Sequence, residues 1–422
     1  MIRFYNAKIM TMSHNCDIIE GEIWVDGDKI FYIGAEREDN FTFDRQINVN
    51  GNLIMPSFKN AHAHSAMTFL RSYADDVPLQ QWLFDKVFPY EDKLNPDYVY
   101  DLTKSAILEY LSSGITAAMD MYFFPDANAQ AAVDCNFRSV ICGGVGGGVQ
   151  GVERLRREFS HFKNFNPLVS YTLGFHAEYT CEYELLKAIG ELACELKAPV
   201  FTHNSETLDE VGKCEVKYRM TPTQLFESLH IYDYGGGGFH CVYLDPDDVE
   251  IFKKRNLYAV SCPASNAKLA SGIAPLAHYD ALGLNLALGT DGAASNNSLD
   301  MFREMYLASV LQKLKKSDAA AMPAETVLKI GTVGSANAMG LTYCNCLAVG
   351  KKADLIMIDL NMPNMQPMNN IAKNLVYSAG KQNVKLTMVN GKILYENGEY
   401  YLSDTADSIY KRANDIIKKI LD

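Results

Sequence analysis

Short apolar runs alternate with longer segments of helical spacing through the middle of the chain. Eight such runs predict an α/β fold, a (β/α)₈ TIM barrel, whose active site lies at the carboxyl ends of the strands. A doubly wound open sheet has the same local pattern and remains the alternative. The predicted strands are Leu53–Pro56, Ile115–Asp120, Arg138–Ile141, Val169–Leu173, Pro199–Thr202, Gly238–Val242, Tyr258–Ser261 and Asn285–Leu288.

Both chain ends carry the same hairpin signal, two β-type runs joined by a tight turn. Residues 23–33 contain Asp26-Gly27, and residues 387–395 contain Asn390-Gly391. A lone hairpin is marginally stable in water, so each pair needs further strands beside it. We therefore predict a small β-sandwich domain from residues 1–54 and 345–422, with a C-terminal amphipathic helix over residues 405–420, and a barrel domain over residues 55–344.

Charge and composition restrict the partners. The chain has 422 residues, with 39 lysines and arginines against 51 aspartates and glutamates, a net charge of −12. The negative net charge repels phosphate backbones and anionic lipid, so we expect no nucleic-acid and no membrane partner. The ten cysteines form no CxxC pair. We expect reduced thiols, a cytoplasmic location and a small-molecule substrate, and the sequence leaves a homo-oligomer open.

His62 and His64 form an HxH pair after the first predicted strand. Residues i and i+2 of an extended segment point to the same face, so both imidazoles can reach one ion. Taken alone, a chance pair in an exposed turn explains this spacing as well as a metal site does.

Other predicted strands end in similar residues. His203 and His240 end the fifth and sixth strands, Asp291 follows the eighth, and His176 follows the fourth. A barrel brings strand ends to one rim, where imidazoles and a carboxylate suit a divalent metal of the zinc and iron class. Structural histidines are the alternative, but so many on one rim favour the metal.

Five spaced motifs carry a resemblance to a known family. They are Pro56–His64, His203–Thr207, His240–Val242, Cys262–Leu269 and Gly289–Asn297. In these motifs the chain resembles the amidohydrolase superfamily, and within it the 5-methylthioadenosine/S-adenosylhomocysteine deaminases and their chlorohydrolase relatives. The resemblance implies a metal-containing (β/α)₈ barrel with a β-sandwich built from both chain ends, which agrees with the pattern above.

The resemblance also implies one divalent metal. Zn²⁺ is the expected ion, and Fe²⁺, Ni²⁺ and Mn²⁺ fit overlapping nitrogen and oxygen sites. Two-metal members of the family bridge their ions with a modified lysine at the end of strand four, and residues 169–176 contain no lysine. The implied ligands are His62, His64, His203 and Asp291.

Three residues are implied to be catalytic. Asp291 and His240 would take a proton from the attacking water, and Glu206 would carry a proton to the ring nitrogen beside the carbon attacked. The alternative for Glu206 is a helix-capping or surface carboxylate.

The implied substrate-binding residues are Glu206 and five others, of which Arg154 is taken up in the next paragraph. Glu91 would accept hydrogen bonds from sugar hydroxyls, and His176 would contact the substrate. Trp82 would cover an apolar face, and Ser295 would hydrogen-bond a purine nitrogen. Each has a structural alternative, such as packing for Trp82 and a solvated charge for Glu91.

The chain departs from the family where a substrate carboxylate would bind. Relatives that act on S-adenosylhomocysteine carry arginines after strand three and in the following loop. In this chain the position after strand three lies in the glycine-rich residues 142–148, which contain no arginine. Arg154 or Arg156 aligns with the arginine of the following loop. We therefore favour adenosine or methylthioadenosine as substrate. A second glycine run, residues 235–238, is interpreted as a flexible connection.

These observations support a metal-dependent deaminase that removes the 6-amino group of adenosine, 5′-methylthioadenosine or S-adenosylhomocysteine. A triazine-type chlorohydrolase, or a guanine or cytosine deaminase, would use the same site. A non-catalytic scaffold is the third hypothesis, and such a protein would not need the whole set of metal-type and catalytic residues.

Overall fold

The computed structural model describes residues 1–38, 41–77 and 81–421. Its strands are β1 (Ile2–Met10), β2 (Ile18–Asp26), β3 (Lys29–Gly34), β4 (Arg45–Asn48), β5 (Leu53–Pro56), β6 (Phe58–His64), β7 (Ile115–Asp120), β8 (Arg138–Cys142), β9 (Val169–Gly174), β10 (Val200–Asn204), β11 (Gly236–His240), β12 (Tyr258–Ser261), β13 (Asn285–Leu288), β14 (Asp291–Gly292), β15 (Leu355–Ile358), β16 (Val384–Val389), β17 (Lys392–Glu396) and β18 (Glu399–Tyr400). Its α-helices are Phe88–Glu91, Pro96–Ser112, Pro125–Asp134, Gly151–Phe162, Tyr183–Leu196, Leu208–Tyr218, Pro222–Ser228, Pro246–Lys254, Pro263–Lys268, Leu276–Ala281, Ala293–Asn296, Met301–Lys316, Ala324–Lys329, Ser335–Ala338, Ile371–Tyr377 and Ala406–Leu421.

The central strands form the predicted (β/α)₈ barrel. Strands β6 to β13 are parallel neighbours in chain order, and β14 pairs with β6. Because β14 follows β13 almost at once, this last segment pairs with β12 at one end and with β6 at the other, which closes the ring. Helices cover the outside of parallel strands, so strands such as β7 and β11 are buried along their whole length.

The prediction of the first barrel strand is wrong. Leu53–Pro56 is β5, which pairs with β1 and β15 in the other sheet. The first barrel strand is β6. It contains polar residues and therefore lacks the continuous apolar run by which the other strands were predicted. Inside the barrel these residues find partners: Lys59 Nζ donates to Thr116 Oγ1 at 2.7 Å, and Asn60 Nδ2 donates to Thr290 Oγ1 at 2.7 Å.

The prediction of a flexible connection at residues 235–238 is also wrong. Gly236 and the next two glycines lie in β11 and are buried. A Cβ on Gly236 would lie 1.9 Å from the main-chain oxygen of Val200, and one on Gly237 would lie 2.3 Å from that of Tyr258. Glycine is therefore required for the close approach of neighbouring strands.

The chain ends build the second sheet, as predicted. Its strand order is β18-β17-β16-β15-β5-β1-β2-β3, with β4 beside β1. Apolar side chains from both halves, among them Phe4, Ile23, Leu355 and Met388, share one core, so the sheet folds over on itself as a β-sandwich. Strand β5 runs two residues past the boundary at residue 54, and the domain boundaries stay a prediction.

The two predicted hairpin turns are confirmed, and they contact each other. Asp26 pairs with Lys29 across the first turn, and Val389 pairs with Lys392 across the second. A Cβ on Gly391, where φ is +78°, would lie 2.0 Å from the Gly27 main-chain oxygen. The two chain ends join into one sheet where β15 pairs with β5, and this turn contact adds a second point of close approach between them.

The C-terminal helix is confirmed as Ala406–Leu421, but it packs on the barrel rather than on the sheet. Its apolar face, including Ile416 and Ile420, lies in one cluster with residues of the helix Pro96–Ser112 and with Trp82. The helix therefore supports a segment close to the mouth of the barrel.

The structure contains neither a membrane-type helix nor a disulfide within residues 1–38, 41–77 and 81–421. No helix there is long and apolar enough to cross a bilayer. All ten cysteines are free. Burial raises the pKa of several thiols, that of Cys135 and Cys181 to about 12, which makes them poor nucleophiles.

A buried ion cluster joins the two sheets. Arg138 of β8 donates two hydrogen bonds of 3.0 Å to the Asp354 carboxylate, and the Lys59 Nζ lies 3.6 Å from the same group. The Asn390 backbone N–H also donates to it, at 2.8 Å. Burial alone would favour the neutral acid, but Arg138 and Lys59 outweigh it and hold the pKa of Asp354 at about 2.

Asp354→Asn should lower the free energy of unfolding by about 3–5 kcal/mol, because it leaves two cations buried without a counter-charge. Urea titration followed by circular dichroism measures the change. Asp209→Asn is the matched control, since Asp209 pairs with Lys213 in solvent and its loss should change stability by less than about 1 kcal/mol. Equal shifts in the two variants would contradict the role of the cluster.

Candidate active site

The carboxyl ends of the barrel strands surround a cavity of about 790 Å³, its open mouth included. One wall is apolar and contains Leu83, Phe88, Met121 and Phe123. The lining also includes imidazoles and carboxylates at the ends of several barrel strands. A mainly apolar pocket with a few convergent polar groups is typical of a small-molecule site.

The strands deliver these side chains in two ways. His62 and His64 alternate with alanines along β6, and the buried His62 ring stacks on Phe239 with 3.8 Å between centroids. His240 and Asp291 stand where strands end and have φ values of 69° and 59°. Such left-handed backbone is rare for these residues and clusters at functional sites.

The metal-type residues form two groups that share His62. The ligand atoms of His62, His203 and His240 lie within 4.8 Å of one another, and so do those of His62, His64 and Asp291. The Asp291 Oδ1 lies 3.2 Å from the His64 Nε2 and 3.5 Å from the His62 Nε2. The structure therefore brings all the predicted ligands together and places His240 beside them.

Hydrogen bonds at Nδ1 orient three of the rings. His64 Nδ1 lies 2.6 Å from the Met121 main-chain oxygen, and His203 Nδ1 lies 2.7 Å from that of His176. Because a carbonyl oxygen only accepts, Nδ1 carries a proton in both rings, so Nε2 is the nitrogen that can bind an ion. His240 Nδ1 is held in the same way by Asn266 Oδ1 at 2.7 Å.

Burial decides the charge of these rings. It lowers the pKa of His62 to about 3 and that of His203 well below its usual range, so both rings are neutral. At His64, burial also favours the neutral ring, but the hydrogen bond and charge of Asp291 outweigh it and raise the pKa to about 9. Burial favours the neutral form of Asp291, but His62, His64 and His240 outweigh it and hold the pKa of Asp291 well below its usual range.

These features fit a divalent metal. Among the described residues, no group hydrogen-bonds to either ring nitrogen of His62, although the ring is fully buried. An unpartnered buried nitrogen costs about 1–3 kcal/mol unless another ligand satisfies it. Neutral imidazoles with a carboxylate are the donor set that zinc and related ions prefer.

The predicted catalytic residues also lie in the cavity, and so do the predicted substrate-binding residues other than Arg154. Glu206 Oε2 is 3.7 Å from His240 Nε2. His176, Trp82, Glu91 and Ser295 line the walls.

Glu91 and Ser295 already have partners that bear on their predicted roles. Tyr122 OH donates to Glu91 Oε1 at 2.7 Å, and burial raises the pKa of Glu91. Ser295 Oγ donates to Asp291 Oδ2 at 2.8 Å, so its proton is not free for a purine nitrogen.

The structure does not bring Arg154 into the cavity. Its guanidinium binds Glu158 at 2.6 Å on the helix Gly151–Phe162, in a separate surface groove. Arg156, the other candidate, pairs with Glu195 on the surface. Among the residues that the structure describes, neither lysine nor arginine lines the cavity.

Sequence reasoning missed several wall residues. Tyr122 follows β7 by two residues, and Tyr179 follows β9 by five. Both lie in loops at the carboxyl ends of barrel strands, where functional residues of this fold collect. Their position in the chain was the available signal.

Comparison with known proteins supports these observations. The model of the amidohydrolase family matches residues 53–394. Three similar curated proteins are named 5-methylthioadenosine/S-adenosylhomocysteine deaminase. The protein of Caldicellulosiruptor saccharolyticus is 36% identical over 99% of this chain and 97% of its own. That of Moorella thermoacetica is 38% identical over 93% of each chain, and that of Pyrococcus furiosus is 39% identical over 85% of this chain and 87% of its own.

Solved structures show the same fold. An adenosine deaminase from Xanthomonas campestris with bound zinc has a TM-score of 0.93 and 29% identity, and covers 100% of this chain and 98% of its own. An atrazine chlorohydrolase from Arthrobacter aurescens complexed with zinc has a TM-score of 0.90 and covers 99% of this chain and 100% of its own. At 22% identity this second match supports the fold alone.

Proposed function

The chain belongs to the amidohydrolase family and is a hydrolytic deaminase, and we propose that it removes the 6-amino group of adenosine-like nucleosides. The observation that carries this proposal is the buried, neutral His62 ring, whose nitrogens have no hydrogen-bond partner among the described residues. Its Nε2 lies 3.5 Å from Asp291, which lines the largely apolar cavity together with Glu206. In the overall reaction water adds at the ring carbon, the exocyclic C–N bond breaks, and ammonia leaves.

One divalent ion, in the first place Zn²⁺, would be held by His62, His64, His203 and Asp291. When bound, the cation supplies Lewis acidity that makes water a nucleophile near neutral pH. The neutral rings of His62 and His203 and the ionised Asp291 support this ligand set. His64 would release the proton that its Nε2 shares with Asp291 when a cation binds. His240 is within reach, but its neighbour Glu206 gives it a second role as a proton acceptor.

The chain's own residues would move the protons. His240 and Asp291 would accept protons from the attacking water. Glu206 would deliver one to the ring nitrogen next to the carbon that carries the amino group, because one carboxylate oxygen lies at the cavity and 3.7 Å from His240. Each transfer would occur between groups that the barrel already holds in place.

The cavity wall favours an uncharged nucleoside. A carboxylate or phosphate at the 5′ position would meet no cation among the described lining residues and would face the Glu91 carboxyl instead. Adenosine and methylthioadenosine therefore fit better than S-adenosylhomocysteine or a nucleotide. Triazines, guanine and cytosine are weaker candidates because they lack a ribose for Glu91 to bind.

An ammonia-release panel tests the proposal. The zinc-loaded protein is assayed with adenosine, methylthioadenosine, S-adenosylhomocysteine, guanine, cytosine and a chlorotriazine, with chloride release measured for the last. We expect ammonia from the first two substrates. Turnover of only guanine, cytosine or the triazine would overturn the proposal.

Glu91→Ala should raise KM for adenosine by about 10- to 100-fold. This is the loss of affinity expected when one or two hydrogen bonds to a charged group are removed. Steady-state kinetics on adenosine and on adenine, its free base, measure the effect. Adenine should show little change because it has no sugar hydroxyls. Asp92→Asn, on the exposed neighbour, is the control. Equal effects on nucleoside and base would contradict the sugar contact.

A further inference from the structure

One short segment contacts all three residues proposed to move protons. Ser265 Oγ donates to Asp291 Oδ2 at 2.6 Å, and Asn266 Oδ1 accepts from His240 Nδ1 at 2.7 Å. The third contact runs from Ser271 Oγ to Glu206 Oε1 at 2.8 Å. The segment comprises the helix Pro263–Lys268 and the turn that follows it.

We propose that Ser271 is a positioning residue that determines which oxygen of Glu206 carries the proton, an inference that rests on the deaminase function proposed above. A hydroxyl that donates to Oε1 needs a lone pair there. The donated hydrogen bond lowers the basicity of Oε1, so the proton enters and leaves preferentially at Oε2. Oε2 is the oxygen 3.7 Å from His240 Nε2.

The rest of Glu206 is fixed independently of Ser271. Its backbone N–H donates to Glu210 Oε2 at 2.7 Å, and the Ser205 N–H donates to Glu210 Oε1 at 3.0 Å. This clamp fixes the main chain but leaves the terminal rotation of the Glu206 carboxylate free. Ser271 restrains that rotation through its hydrogen bond to Oε1, and the longer 3.7 Å contact between Oε2 and His240 Nε2 adds to it.

Ser271 is itself held by a tight turn. Its N–H donates to the main-chain oxygen of Asn266 at 2.9 Å. Ala270 before it has φ +55°, and Gly272 after it has φ +133°, where a Cβ would lie 2.5 Å from the Tyr243 hydroxyl oxygen. The positive φ and this close approach both favour glycine there. Because Asn266 also holds His240, one residue sets the distance between the two proton carriers.

The test compares Ser271→Ala, which removes the hydroxyl, with Ser271→Thr, which keeps it. We expect Ser271→Ala to lower kcat for adenosine by about 10- to 100-fold, with KM within about twofold of the wild-type value and zinc content unchanged. Ser271→Thr should recover most of the lost kcat. Ser309→Ala is the matched control, because Ser309 is equally buried and bonds the Met322 main-chain oxygen away from the cavity.

Unchanged kcat in Ser271→Ala would overturn the proposal, and so would an equal loss of kcat in Ser309→Ala or in Ser271→Thr. A second measurement does not need turnover. Crystal structures of the zinc-loaded wild type and Ser271→Ala should show the Glu206 carboxylate ordered in the first and rotated or in two orientations in the second. An identical, ordered carboxylate in both would overturn the inference. Failure of the wild type to deaminate any nucleoside would instead refute the proposed function.

Discussion

Replacement of Glu206 by glutamine should lower kcat for adenosine by about 10²- to 10⁴-fold and leave the zinc content unchanged. Glutamine has the same shape and can still accept the hydrogen bond from Ser271, but it cannot pick up and release a proton near neutral pH. Glu206 belongs to neither group of ligand atoms around His62, so metal binding should not depend on its charge. KM should change little, because the loss falls on the transition state.

Single-turnover kinetics and zinc analysis on the same preparation measure both quantities. Glu182→Gln provides the control, since it makes the same isosteric change on an exposed carboxylate in the loop after β9. Wild-type kcat in Glu206→Gln would remove Glu206 from proton transfer. A parallel loss of zinc would show that its role is structural support of the metal site.

The barrel could be predicted from sequence because its parallel strands are buried on both faces. Strands such as β7 then appear as continuous apolar runs, and only a few closed folds hold eight of them. Strand β6 was not predicted because it contains Lys59 and Asn60. These polar residues are buried through hydrogen bonds to partners distant in sequence. Periodicity carries no information about such partners, so β5 was assigned in its place.

The site was predictable to the extent that it depends on strand ends. His203, His240 and Asp291 each end a strand or follow one closely, and the barrel topology alone brings them together. The direction of the Arg154 side chain depends instead on the path of a loop and the helix after it. The structure directs this side chain to Glu158 and not, as the family resemblance had implied, into the cavity. Ser271 could not have been found from sequence, because its contact with Glu206 requires the left-handed turn around Ala270.

His62→Ala should abolish both zinc binding and deaminase activity. The His62 nitrogens lie in both groups of candidate ligand atoms, so its loss removes the one donor that the groups share. Alanine also leaves Asp291 facing His64 as an ordinary ion pair without the second imidazole. Zinc sites in proteins have about three or four protein ligands, so the loss of one ligand removes a large part of the binding energy. We therefore expect zinc below about 0.1 equivalent per chain after dialysis and no detectable ammonia release.

Thermal unfolding separates a lost metal site from a lost fold. A bound ligand at 100 times its Kd stabilises the native state by about 2.7 kcal/mol, so excess zinc should raise the apparent Tm of the wild type and leave that of His62→Ala unchanged. His278→Ala, on an exposed helical histidine, should respond to zinc as the wild type does. If the alanine variant unfolds too readily, His62→Asn offers a smaller loss of packing with the same loss of the imidazole. A variant at residue 62 that still binds zinc, with its apparent Tm still rising on addition of the metal, would contradict the ligand assignment, because no other described residue contributes to both groups.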